Sequence, residues 1–149
     1  MTVMDVAAFQ RLFRRAAGID VDGTDLTRYN AVVTRKLYDL LLAGQASAAS
    51  HRRYIIEPED LPITPGMQTN IRIFASFEHR IELERILAQL ALYPPLDRIP
   101  ATETKALFPD IVGGLSVAPA RTLAIVHPGI AAPQPEHWEK LRTLIDLYL

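Results

Sequence analysis

TDLTRYNAVVTRKLYDLLLAGQASAASH, residues Thr24 to His51, contains no proline and carries one apolar stripe. Leu26, Tyr29, Val33, Leu37, Leu40, Leu41, Gly44 and Ala48 recur at spacings of three and four, the period of an amphipathic helix. Asp22 or Thr24, behind a glycine-bearing loop, can supply the N-cap. At about 1.5 Å per residue such a helix runs roughly 40 Å. Its stripe cannot be buried against itself. Either shorter helices strap across it, or it pairs with a second long helix.

The flanks supply the shorter helices. Val6, Phe9, Leu12, Phe13 and Ala16 fall on one helical face, and Gly18 is placed to end that helix. After the long stretch, Arg52-Arg53-Tyr54-Ile55-Ile56 reads as a short extended segment. Glu57-Pro58-Glu59-Asp60 reads as a helix start, which Pro62 and Pro65 interrupt. A further helix, capped by Thr64, carries Met67, Ile71, Phe74 and Phe77. The order is short, long, short.

That order then repeats. A shift of 77 positions sets Val6, Phe9 and Phe13 on Leu83, Ile86 and Leu90. The same shift sets Ile19-Asp20 on Leu96-Asp97 and Pro58-Glu59 on Pro135-Glu136. The second long helix is expected from Thr102 toward His127, with Leu107, Ile111, Leu115 and Leu123 inward. Pro109, Gly113-Gly114 and Pro119 each weaken or kink it. Trp138, Leu141, Ile145 and Leu149 define a closing helix from Pro135.

Composition limits the function. At 149 residues the chain suits one domain, with an ordinary 49 % apolar and 22 % charged residues. It has no cysteine, so disulfides and thiolate metal sites are excluded and a reducing compartment is the simple reading. Asp5, Arg11, Arg14 and Arg15 break any signal-peptide core, and no apolar run is long enough to span a bilayer. The net charge of −1 weighs against avid nonspecific binding to nucleic acid. Residues 1–77 hold nine Lys/Arg against eight Asp/Glu, and residues 78–149 hold seven against nine. The expected location is cytoplasmic, at the nucleoid if DNA is bound.

Short-long-short helices in tandem are the pattern of the histone fold, in which two units clasp head to tail with their long helices crossed. The sequence also resembles a bacterial family that carries two histone folds in one chain, a domain of unsettled activity. The matching stretches are Arg15-Ala16-Ala17-Gly18-Ile19-Asp20-Val21-Asp22, Leu37-Tyr38-Asp39-Leu40-Leu41-Leu42 and Ile56-Glu57-Pro58-Glu59-Asp60-Leu61-Pro62-Ile63-Thr64. Gly113-Gly114-Leu115-Ser116-Val117-Ala118 and Glu136-His137-Trp138-Glu139 complete them. The resemblance implies an all-α, monomeric pseudodimer over 1–149, with 1–77 as its first histone-fold half and 78–149 as a degenerate second. It also implies that Arg53 and Asp60, seven apart, form the internal ion pair that staples the loop in histone folds.

DNA contact is expected to be reduced. Archaeal histones follow that arginine with a lysine and a threonine facing phosphate, where this chain has Tyr54 and Ile55. The aligned loop 128–134 has no basic residue, and His137 replaces the aspartate. A head-to-tail clasp would join Arg52 and Arg53 to Arg98 at one end, and Asp20 and Asp22 to the uncharged loop at the other. Arg52, Arg53 and Arg98 are therefore the first candidates for phosphate contact. Arg11, Arg14 and Arg15, on one side of the first helix, are the second, with a solvated helix face as the plainer reading. Duplex DNA gripped at one end is the leading partner, and another protein held on exposed helix surface is the rival.

No enzyme, metal or cofactor is expected. The four histidines are scattered, and no pair has the i, i+4 spacing of helical ligands. Gly113-Gly114 lacks the lysine and strand of a phosphate loop and is expected to let the long helices approach closely. Glu136-His137-Trp138-Glu139 reads as dipole partners and a core tryptophan rather than as catalytic groups.

Overall fold

The N-terminal segment enters a helix at Asp5, whose carboxylate accepts from the Ala8 amide (2.7 Å), and α1 runs Val6–Ala17. It buries Phe9, Leu12 and Phe13; Val6, expected on the same face, is exposed. Gly18, at φ +67°, ends it in the left-handed conformation that glycine adopts without strain. Helix α2, Gly23–Ser50, follows behind a reciprocal cap. Asp22 accepts from the Asp25 amide (2.9 Å), and Asp25 accepts from the Asp22 amide (3.0 Å). The computed structural model describes residues 2–149, and these are mostly helical.

After α2 come the two-residue strand β1, Ile55–Ile56, a single 3-10 turn at Pro58–Asp60, and α3, Pro65–Ala75. Glu57-Pro58-Glu59-Asp60 thus starts one turn and no longer helix, because Pro62 lies directly behind it. The second half continues with α4, Leu83–Leu90, and β2, Ile99–Pro100. Then follow α5, Thr102–Ala106, α6, Phe108–Val126, and α7, Pro135–Tyr148.

The second long helix departs from expectation in three ways. It is broken at Leu107, where Pro109 can neither donate a helical hydrogen bond nor leave its predecessor unrestricted. Leu107 is exposed rather than inward. From Ile111 to Ala120 every residue of α6 is buried, so this helix has no solvent face there. Gly113 and Gly114 do allow close approach, but to α3 and not to α2. A Cβ on Gly113 would overlap the Phe74 ring, and one on Gly114 would lie 2.6 Å from Ile71 Cγ1.

The two halves interlock at both ends of α2. Strands β1 and β2 pair in parallel, Ile55 with Ile99 and Ile56 with Pro100. At the other end the Asp20 amide donates to the Ala131 carbonyl (2.8 Å). Between them the buried hydroxyls of Tyr29 on α2 and Ser116 on α6 hydrogen-bond where the long helices meet. Phe9, Phe13, Tyr29 and Trp138 pack their rings around this point, with centroid separations of 4.7 to 6.0 Å. The Trp138 indole N–H donates to Asp25 Oδ1 (2.8 Å), tying α7 to the start of α2.

Candidate nucleic-acid interface

The loop after α2 is shaped by two backbone hydrogen bonds. The Arg52 amide donates to Ala49 O (3.0 Å) and the Arg53 amide to Ala48 O (2.9 Å). Arg52 takes a left-handed conformation, φ +58°, which costs a non-glycine residue energy. The chain reverses there, leaving Arg52 exposed and directing Arg53 back toward the protein.

Arg53 meets Asp60 in a bidentate pair, Nη1 to Oδ2 at 2.7 Å and Nη2 to Oδ1 at 2.8 Å. The Asp60 side chain is 1 % exposed and also accepts from Ser47 Oγ (2.8 Å) and the Glu57 amide (2.8 Å). Hydrogen bonding from Arg53 holds the Asp60 carboxyl well below the usual range; burial opposes this, and Ser47 and Glu57 reinforce it. The same bond raises the Arg53 guanidinium above its ordinary value.

Arg98 arrives from the other half. Its Nε donates to the Arg53 carbonyl (3.0 Å), and its amide donates to Gln45 Oε1 (3.0 Å). Arg52, Arg53 and Arg98 therefore share one end, with Tyr54 (59 % exposed), Ile55 and Ile99 (48 %) beside them.

Arg11, Arg14 and Arg15 do not join that group. Arg14 pairs with Asp20 at 3.2 Å, beside the contact with Ala131, so these arginines lie near the opposite end of α2. A 28-residue helix separates the two groups by roughly 40 Å. There, Arg11, Arg14, Arg15, His79 and Arg80 line an open cleft of about 600 Å³, with the Arg15 guanidinium 5.1 Å from the Phe77 ring centre. Burial lowers the His79 pKa, and Arg11 and Arg15 lower it further. Of the two N-cap candidates Asp22 and Thr24, it is Asp22, at this same end, that caps α2.

Two groupings have no counterpart in the sequence reading. His127 and His137 pack together across the loop before α7, ring centres 4.3 Å apart and the planes tilted by 47°. Burial depresses the His127 pKa, with His137 and Lys140 adding to it, and its Nε2 is buried without a partner among the described residues. The two are ten positions apart with a loop between, so periodicity gives no sign of the contact. Lys36 is the second: it lies three residues after Val33 and four before Leu40, on the buried stripe itself. Among the described residues no group of three or more His, Asp or Glu is placed to hold a metal ion. None of their helices is long and apolar enough to cross a membrane.

A family described as a domain of unknown function, DUF1931, matches residues 9–146. The chain belongs to the DUF1931 family. The chain is similar to the Thermus thermophilus protein ttk003001566, with 40 % identity over 99 % of this chain and 100 % of the other, at a TM-score of 0.95. It is also similar to protein AQ328 from Aquifex aeolicus, with 22 % identity over 96 % and 94 % of the two chains and a TM-score of 0.80, a likeness of fold alone. No curated protein matches the chain. The DUF1931 match runs from within α1 to within α7, and so takes in all three arginines at the end where β1 meets β2.

Proposed function

We propose that this DUF1931 chain is a histone-fold pseudodimer, its halves 1–77 and 78–149 clasped head to tail. In this reading it associates with the duplex DNA backbone at one end only, without sequence preference or catalysis. The observation that carries the reading is the hydrogen bond from Arg98 Nε to the Arg53 carbonyl. It gathers guanidiniums from two distant loops onto one end, as a nucleic-acid grip requires. The nucleoid is the corresponding place in the cell.

The grip is small. Arg53 is neutralised by Asp60, leaving Arg52 and the Nη groups of Arg98 for phosphates. Neutralising about two phosphates predicts that affinity falls only about tenfold between ~50 and ~200 mM salt. A titration against duplex DNA at several salt concentrations tests this. Arg52→Glu or Arg98→Glu should abolish binding, while Arg14→Glu should leave it nearly unchanged. Absence of salt-sensitive binding even at ~50 mM salt overturns the DNA reading.

A second reading has its own support at the same end. Tyr54, Ile55 and Ile99 are exposed together, and an apolar patch of this kind fits a protein partner better than phosphate. In that reading the chain is a histone-fold interaction module without DNA binding. It predicts that Tyr54→Ser weakens partner capture while charge reversal at Arg52 does not.

A further inference from the structure

Between α2 and α7 lies a cavity of about 500 Å³, within the range of small-molecule sites. One wall is Arg28, Arg35 and Lys36 from α2; the other includes Arg142 from α7. Val32, Trp138 and Ile145 give it an apolar floor. Lys36 is only 8 % exposed, and among the described residues its ammonium has no hydrogen-bond or ion-pair partner. Its stem is packed among neighbouring side chains, while the ammonium itself keeps contact with the water of the cavity, where an anion can reach it. Two acids also line the cavity, Glu139 and Asp146, yet neither bridges to Lys36 within 4.0 Å. The nearest acid on α2, Asp39, is paired with Arg35 at 4.0 Å.

We infer that this cavity binds a small organic phosphate, with the phosphate on Lys36, Arg28, Arg35 and Arg142 and an aromatic or apolar body against Val32, Trp138 and Ile145. Charge selects the class. Four cations against Glu139, Asp146 and the Asp39 partner of Arg35 leave a positive balance, and several guanidiniums with one ammonium suit the multiple oxygens of a phosphate. Shape selects against nucleic acid, because a concave site between two helices admits a small molecule and not a duplex. The site shares none of Arg52, Arg53 and Arg98, so it is independent of the DNA reading.

Trp138 is the only tryptophan in the chain and lines the cavity, so its fluorescence reports occupancy directly. Phenyl phosphate is the probe, with phenol and inorganic phosphate as its two halves. The wild type should show a saturable fluorescence change with a Kd below ~1 mM, confirmed by calorimetry. Phenol and inorganic phosphate should each bind at least ~10-fold more weakly, since each loses one wall of the site. Lys36→Met should weaken phenyl phosphate by ~10-fold or more, while Arg52→Glu leaves it unchanged. If Lys36→Met fails to fold, Arg142→Gln on the exposed face of α7 serves, with an expected loss of ~3–10-fold. No saturable change at ~1 mM, equal binding of phenol, or unchanged affinity in the folded variant would each overturn the inference.

Discussion

Four donors converge on Asp60 at the turn where α2 gives way to β1. Arg53 supplies two of them, Ser47 one, and the Glu57 amide the fourth, so a single carboxylate fixes the end of α2, the loop and the 3-10 turn together. Replacing it with alanine removes these bonds at once, while Arg53, a third exposed, recovers water. Asp60→Ala should therefore cost about 2–3 kcal/mol in urea unfolding, a figure set by lost charge-assisted hydrogen bonds. A loss below ~0.5 kcal/mol would mean that water replaces the staple almost completely. The pH dependence has a definite sign. The folded pKa of Asp60 lies below the unfolded value of about 3.9, so its stabilisation is present above that value. It is lost as pH falls through the folded pKa. Asp60→Asn should lack this acid-side decline, and an unchanged slope below about pH 4 in the variant would refute the assignment.

Helices α2 and α6 show what makes an element legible in a sequence. Helix α2 carries one apolar stripe, a polar back and a reciprocal aspartate cap, so its period and start can both be read. Helix α6 is buried all round from Ile111 to Ala120, and without a polar face there is no phase for periodicity to reveal. The same burial hid the partner of Gly113-Gly114, since glycines announce a close approach but not what approaches. The candidate site divides likewise. The likeness to histone folds pointed to Arg53 with Asp60, whereas Arg98 could be placed beside them only through an assumed pairing of loops. The α1 arginines lie at the other end, a separation that sequence does not give, since it shows the face of a helix and not its distance from another loop. Gly114 supplies the test at this scale. A Cβ there would stand 3.1 Å from the Ile71 amide nitrogen and 3.3 Å from its Cα, backbone atoms that cannot rotate aside. Alanine gains about 1 kcal/mol of helix propensity, but forcing α3 away from α6 costs about 1–3 kcal/mol. Gly114→Ala should therefore be destabilising on balance, by thermal or urea melting. A more stable variant would show that α3 can shift freely on α6.

At the scale of the whole molecule, the two halves share one core rather than possessing one each. Buried residues from α1, α2 and α3 form a single cluster with those of α4, α6 and α7. Phe74 and Ile71 lie directly on the α6 glycines, and Tyr29 reaches Ser116 across the centre. A 77-residue fragment ending at Phe77 would keep α2 but lose what covers its stripe, and domains of that size are marginal even with their cores intact. Fragments 1–77 and 83–149 should each show little cooperative unfolding when alone. Mixed in equal amounts they should regain helicity and melt together, because β1 with β2 and Asp20 with Ala131 are contacts between halves. The intact chain should remain the more stable, since its linker holds the halves at an effective concentration of about millimolar. At ~10 µM fragments this tether is worth roughly 100-fold in association, so complementation should be visibly concentration-dependent. Circular dichroism melts with sedimentation velocity on the same samples decide the matter. A 1–77 fragment that sediments as a monomer and melts cooperatively would show that the first half folds independently, and the clasped arrangement would then be a docking of two finished domains.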